Sequence, residues 1–130
     1  MKEVKIIPFN DCFTLELIEA YIDAYRGLER YADVEDKKIE DYFLWLITKD
    51  PEGVLVALLG GKLVGMVGVN SNWVSHREKK NLGEIHEIFV KSELKRRGIG
   101  EMLMDAAMKY LKDKGLHTFE LWGERQMRRE

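Results

Sequence analysis

The segment from residue 83 to residue 101 constrains this chain more than any other part of its sequence. Gly83 to Val90 is a β-branched and aliphatic run typical of a strand, and a basic loop follows it. A helix with apolar residues at spacings of three and four then begins near Gly98. The first turn of a helix presents unpaired N–H groups and a partial positive charge. This strand, loop and helix start therefore predict an α/β fold with an anion-binding site at residues 95–101.

Two glycines at the helix start favour a bound ligand over an ordinary basic turn. Gly98 and Gly100 each cost about 1 kcal/mol relative to alanine in a helix, but they let a phosphate approach the backbone closely. Lys95, Arg96 and Arg97 add positive charge at the same point. We therefore expect a phosphate group to bind here.

Two common phosphate-binding motifs fit this segment poorly. A P-loop has Lys-Ser or Lys-Thr directly after its last glycine, whereas Glu101 and Met102 follow Gly100 here. The dinucleotide fingerprint needs a third glycine where this chain has Leu103, although Glu120 lies at the expected distance for a ribose-binding acid. The P-loop is excluded, and the dinucleotide motif is weak.

Periodicity along the rest of the chain predicts the other elements and their order. A short strand at Val4–Pro8 precedes two amphipathic helices, at residues 11–27 and 36–49. Two strands then flank a Gly60-Gly61-Lys62 hairpin turn, and a last strand lies at about residues 117–122. The order β-α-α-β-β-β-α-β predicts an α/β fold with a mixed sheet.

The same periodicity assigns side chains to the core. We expect an apolar face on each helix, with aromatic side chains packed in the interior. The single cysteine, Cys12, is expected to be a small buried apolar residue. The other residues expected in the core include Leu15, Ile18, Ile22, Tyr25, Tyr42, Trp45 and Met102.

Length, charge and cysteine content exclude several classes of protein. The chain of 130 residues predicts one domain at residues 1–130, and one cysteine permits neither an internal disulfide nor a multi-cysteine metal cluster. The N-terminus is charged and no apolar run approaches about 18 residues, so we expect a cytoplasmic protein that does not bind membranes. The net charge of −2 argues against a basic nucleic-acid-binding protein. Residues 60–130 nevertheless carry 14 basic and 10 acidic side chains, which favours an anionic ligand in that half.

The loop resembles the coenzyme-binding loop of the GNAT family of N-acetyltransferases. That family has Arg/Gln-x-x-Gly-x-Gly/Ala after a strand ending in valine. Here Val90 is followed by Lys95-Arg96-Arg97-Gly98-Ile99-Gly100, with lysine in the first position. The family's order of elements also matches this chain from Val4 to Trp122. The resemblance implies an acyl-CoA N-acyltransferase-like fold, acetyl-CoA as cosubstrate, no metal, and a small-molecule or peptide amine as acceptor.

The resemblance also implies roles for two groups of residues. The backbone N–H groups of the loop and helix start would hold the pyrophosphate of coenzyme A. The end of the preceding strand would hydrogen-bond the pantetheine arm. The residues expected at the pyrophosphate are Lys95, Arg96, Arg97, Gly98, Ile99, Gly100 and Glu101. Those expected at the pantetheine arm are Ile88, Phe89 and Val90.

Polar residues of the strand before the loop are the candidates for a catalytic base. Acetyl transfer needs a deprotonated amine, and an alkylammonium has a pKa of about 10.4, so a base or a water relay must accept its proton. Glu87 is the first candidate, His86 the second and Glu84 the third. Strict alternation places Glu84 and His86 on one face and Glu87 on the other, whereas a β-bulge would shift this parity. A solvent-facing charge for Glu87 and a hydrogen-bonded interior ring for His86 are equally open explanations.

The end of the sequence departs from the family pattern. Members usually continue after the last strand into a helix, whose tyrosine protonates the leaving thiolate, and into two further strands. This sequence stops at Glu130, and residues 124–129 contain no tyrosine. We therefore expect a fold that lacks the usual final helix and strands, with an open sheet edge that makes a homodimer plausible.

Other functions stay open from the sequence alone. A non-catalytic acyl-CoA-binding or interaction module of the same fold is the main alternative, and nucleic-acid binding by the basic half is a weak third. An acidic group between the first two helices favours a cationic acceptor, although a solvated acidic loop is the more ordinary explanation. That group comprises Glu29, Asp33, Glu35 and Asp36.

Overall fold

A mixed five-stranded sheet organises the computed structural model, which describes residues 3–27 and 35–121. Its strands follow chain order across the sheet. Neighbours among the first four strands are antiparallel, whereas the fifth strand is parallel to the fourth. The strands are β1 (Val4–Pro8), β2 (Val54–Leu59), β3 (Lys62–Asn70), β4 (Gly83–Val90) and β5 (Phe119–Leu121). The predicted mixed sheet is confirmed.

Three helices cover the two faces of the sheet. Helices α1 (Thr14–Ala24) and α2 (Asp36–Lys49) share one hydrophobic cluster with side chains of β2, β3 and β4. Helix α3 (Ile99–Asp113) shares a second cluster with side chains on the opposite face. Because β5 is parallel to β4, α3 forms the crossover connection from one strand to the other. The loop from β4 to α3 therefore lies at the C-terminal end of β4.

The β2–β3 hairpin closes as the sequence predicts. Gly60 and Gly61 have φ angles of 60° and 81°, in the left-handed region that this tight turn requires. The predicted order of elements is confirmed along the described residues. Trp122, the predicted end of the last strand, lies outside them. No helix in the described ranges is long and apolar enough to span a membrane.

Several side chains expected in the core lie at the surface instead. Leu15 is 75% exposed and Trp45 is 41% exposed, and Ile22, Met102 and Cys12 are also exposed. Helix α1 contains two neighbouring apolar stripes, and spacing alone does not select between them. In the structure the buried stripe is the one that faces the sheet, and it comprises Leu17, Ile18, Ala20, Tyr21 and Ala24.

Candidate functional site

A β-bulge in β4 determines which polar side chains share a face. Gly68 of β3 pairs with Glu87, whereas the next residue of β3 pairs with Ile85, so His86 is the extra residue of the bulge. Glu87 accepts a hydrogen bond from Tyr42 of α2, and the ring of His86 lies 6.0 Å from the same tyrosine ring. The two neighbours in sequence therefore lie on the same face of the sheet, which strict alternation does not allow.

Glu87 is buried and held by two tyrosines. The residue is 8% exposed; Tyr42 Oη donates to its Oε1 at 2.6 Å, and Tyr25 Oη donates to its Oε2. Burial raises the pKa of the Glu87 carboxyl, and the two tyrosine hydrogen bonds act in the opposite direction. Burial, reinforced by the charge of Glu87, raises the pKa of both tyrosines. Glu87 therefore joins β4 to α1 and α2 and is not a solvent-facing charge.

We expect the Glu87→Gln substitution to change the pH dependence of stability. Because the folded-state pKa of Glu87 lies above its ordinary value of 4.5, this group stabilises the fold most below that pH. Its contribution is lost as the pH rises through the folded-state pKa. Between pH 4 and pH 9, the wild type should therefore lose unfolding free energy relative to Glu87→Gln.

Urea unfolding at several pH values measures this difference. Glu78→Gln makes the same chemical change at an exposed position, and its stability should follow that of the wild type across the range. A wild type that gains stability relative to Glu87→Gln as the pH rises would contradict the prediction.

His86 lies beside a second buried carboxylate. Its Nδ1 is 3.2 Å from Oε2 of Glu84, and the two side chains are 13% and 3% exposed. The His86 ring also meets the indole of Trp45 edge to face, with 4.9 Å between ring centroids. His86 is thus a hydrogen-bonded ring at the margin of the interior, close to the half-exposed Trp45.

Only the N-terminal part of β4 pairs with β5. The parallel pairing joins Gly83–Ile85 to β5, so no described strand pairs with residues 87–90 on that side. Val90 and Phe89 are buried and Ile88 is half-buried, while their main chain pairs with β3 on the other side. This leaves a length of strand edge at the position predicted to bind a pantetheine arm.

The loop after β4 is attached to the end of α1. Ser92 N–H donates to Oδ2 of Asp23 at 2.7 Å, and Ser92 Oγ donates to the backbone oxygen of Asp23 at 3.0 Å. Sequence reasoning did not single out Asp23, and it assigned Tyr25 and Tyr42 to the core alone. The contacts of Asp23 with Ser92, and of Tyr25 and Tyr42 with Glu87, join residues that are far apart in the chain. No local pattern in the sequence therefore indicates them.

The main chain of residues 96–101 is arranged to bind an anion. Within the described part of the chain, the N–H groups of residues 98–101 have no hydrogen-bond acceptor, and no side chain caps α3. Arg96 and Gly98 have φ angles of 68° and 81°, and left-handed residues help successive N–H groups to point to one side. A Cβ added to Gly98 or Gly100 would meet nothing within 4 Å. These donors at the positive end of α3 fit the pyrophosphate that the resemblance implies.

Other candidate features contribute less to this site. Glu35 and Asp36 are exposed at the start of α2, whereas Glu29, Asp33 and the segment 124–129 lie outside the described residues. Across residues 3–27 and 35–121, no three His, Cys, Asp or Glu side chains gather in a way that could hold a metal ion.

Comparison with known sequences finds relatives among acetyltransferases. The pattern that defines the Acetyltransferase (GNAT) family matches residues 14–128. An uncharacterized N-acetyltransferase of Archaeoglobus fulgidus is 41% identical over 107 residues, which are 82% of this chain and 73% of that protein. One from Methanocaldococcus jannaschii is also 41% identical over 107 residues, but this chain spans only 47% of its length.

A solved structure shows the same fold. The protein, from Pyrococcus horikoshii, is 32% identical, and the match has a TM-score of 0.81 and covers 92% of this chain and 77% of that one. The matched family pattern includes the bulged strand, the basic loop and the helix start described above. On sequence and on structure, this chain belongs to the GNAT family of acetyltransferases.

Proposed function

We propose that this chain transfers an acetyl group from acetyl-CoA to a primary amine by direct attack in a ternary complex. Family membership supports acyl transfer. The observation that carries the proposal is the row of N–H groups without described acceptors at residues 98–101, next to the strand edge at residues 87–90. A diphosphate bound to the first and a pantetheine arm laid along the second would direct the thioester towards the polar residues of β4.

The binding roles are those that the resemblance implies, and the geometry of the loop supports them. The N–H groups of residues 98–101 would donate to the pyrophosphate oxygens, and Lys95, Arg96 and Arg97 would supply positive charge. The backbone of Ile88, Phe89 and Val90 would hydrogen-bond the amide groups of pantetheine much as a neighbouring strand does. The bonds between Ser92 and Asp23 support this arrangement by fixing the start of the loop.

The reaction forms one C–N bond and breaks one C–S bond. The acceptor ammonium first gives a proton to a base on β4, and its lone pair then attacks the thioester carbonyl carbon. Collapse of the tetrahedral adduct expels coenzyme A as a thiolate, and the amide nitrogen gives its second proton to water. The products are the acetylated amine and coenzyme A, whose thiolate takes a proton from water or from the acid formed earlier.

For the acceptor we propose a chemical class. The class is a small-molecule or peptide amine, which is the acceptor that the resemblance implies. The cytoplasmic location, the single domain, the homodimer, and the absence of nucleic-acid and membrane binding stay predictions.

Acetyl-CoA should stabilise the chain against thermal unfolding. At a hundred times its Kd, a ligand that binds only the folded state contributes about 2.7 kcal/mol. A rise in Tm with increasing acetyl-CoA, followed to millimolar concentration, measures the binding. An unchanged Tm over that range would contradict coenzyme binding.

Turnover distinguishes an enzyme from a binding module of the same fold. A panel of small amines and of peptides with free amino groups, assayed for release of the coenzyme A thiol, should contain at least one acceptor. Binding of acetyl-CoA without thiol release from any member of a broad panel would favour the non-catalytic alternative.

A further inference from the structure

We infer that Glu84 is a positioning residue that holds His86 as the base of this acetyl transfer, and that Glu87 has a structural role. The inference rests on the proposed function for the reaction. It concerns the three polar residues that the bulge places on one face of β4.

The contact between Glu84 and His86 orients the imidazole ring. A buried carboxylate 3.2 Å from Nδ1 favours the tautomer in which Nδ1 carries the hydrogen, because that N–H then donates to Oε2 of Glu84. The lone pair of the neutral ring is then on Nε2. When Nε2 takes a proton from the acceptor ammonium, the Glu84 charge stabilises the imidazolium that forms.

The bulge is what makes this arrangement a candidate for catalysis. It turns His86 towards α2, where the ring packs against Trp45 and near Tyr42. His86 lies four residues before Val90, about 13 Å along the strand. A pantetheine arm that begins beyond Val90 and follows the strand edge would bring its thioester towards this region.

Glu87 is less suited to the role of base than its position in sequence indicates. Each of its carboxylate oxygens already accepts a tyrosine hydrogen bond, from Tyr25 on α1 and from Tyr42 on α2. Proton transfer to Glu87 would weaken these buried bonds, because both favour the charged carboxylate. Proton transfer to His86 preserves the contact with Glu84 and adds charge attraction to it.

The groups around His86 define the controls for a pH experiment. On β4 the ring is flanked by Glu84 and Glu87, and from α2 it is faced by Tyr42 and Trp45. The α2 cation in this region is Lys49, whose Nζ lies over the Trp45 ring at 5.7 Å.

The first arm of the experiment observes the histidine directly and does not depend on turnover. Long-range ¹H–¹⁵N NMR spectra of the full chain, with His86 assigned by the His86→Gln variant, should show the Nδ1–H tautomer in the neutral ring. In Glu84→Gln the share of the Nδ1–H tautomer of His86 should fall, because a neutral amide accepts this hydrogen bond less strongly than a carboxylate does. The tautomers of His76 and His117 should not change.

The second arm uses kinetics with a matched control. Glu84→Gln should lower kcat roughly 10- to 100-fold and leave KM for acetyl-CoA within about twofold. His86→Gln should lower kcat roughly 100-fold or more, and adding Glu84→Gln to it should cost little further activity, since Glu84 acts through His86. Glu78→Gln, at an exposed site, should retain wild-type kinetics.

The outcomes separate this inference from the proposed function. An Nε2–H tautomer in the wild type, an unchanged His86 tautomer in Glu84→Gln, or additive losses in the double variant would overturn the role of Glu84. A Glu87→Gln variant that loses the acidic limb of the pH–rate profile while His86→Gln keeps it would assign the base to Glu87. If His86 shows the Nδ1–H tautomer in the wild type and less of it in Glu84→Gln, but the wild type acetylates no amine, the proposed function is contradicted and the positioning contact is retained.

Discussion

Gly100→Ala should weaken acetyl-CoA binding while it stabilises the fold. The loop leaves open space at Gly100, so an alanine Cβ meets nothing within 4 Å and the helix gains up to about 1 kcal/mol. The same methyl group would occupy the space proposed for pyrophosphate oxygens. Loss of one or two charge-assisted hydrogen bonds, about 1.5 to 3 kcal/mol, corresponds to a Kd roughly 10- to 100-fold higher.

Isothermal titration with acetyl-CoA and urea unfolding of the apo chain test the two halves of this prediction. Lys112→Ala changes an exposed residue in the last turn of the same helix, about 18 Å from Gly100 at 1.5 Å per residue, and should leave the affinity unchanged. Gly98→Ala differs from both, because its φ of 81° is strained for alanine by about 1 to 2 kcal/mol. An undiminished affinity in Gly100→Ala would exclude close approach of the ligand at this residue.

Gly53→Ala should destabilise the chain by about 3 to 5 kcal/mol. Gly53 lies directly before β2, and its Cβ would be 2.0 Å from the backbone oxygen of Val69 in β3. The main chain has little freedom to relax here, since Val69 N–H donates to the oxygen of Gly53 at 2.8 Å and Gly53 N–H donates to the oxygen of Asp50. Relief of the clash therefore requires movement of paired strands.

The neighbouring network makes such movement costly. Asp50 is buried, and its carboxylate accepts hydrogen bonds from Ser71 N–H and Oγ at 2.7 Å and from Tyr110 Oη at 2.6 Å. Gly61→Ala is the matched control, because it meets no atom within 4 Å and bears only the left-handed penalty of about 1 to 2 kcal/mol. Denaturant unfolding of both variants measures the difference, and a Gly53→Ala chain as stable as Gly61→Ala would contradict the argument.

The fold was accessible to sequence reasoning because its signals are local. The alternation of β2 and β3, the glycines of their hairpin and the helical period of α3 all depend on residues within a few positions of one another. The loop at residues 95–101 was found for the same reason, since glycines and cations lie together there. That coenzyme A binds at this loop is still a prediction.

Contacts between distant residues were not accessible in this way. Trp45 was expected in the core by its apolar character, whereas the packing of α2 leaves it at the surface against His86. Tyr25 and Tyr42 were assigned to the core as well, yet their hydroxyls meet Glu87 across 62 and 45 residues of sequence. Such pairings depend on how helices and sheet come together, which a single sequence does not display.

The sequence by itself determined the order of elements, the hairpin turn and the loop whose glycines and cations favour an anion. Only the tertiary structure decided which side chains of β4 lie on the same face. The reason is that a bulge arises from pairing with β3 and not from the residues of one strand. That bulge brings His86 and Glu87 to the same face, against Tyr42 of α2. It separates the two leading candidates for a base, since two tyrosines hold Glu87 and Glu84 orients His86.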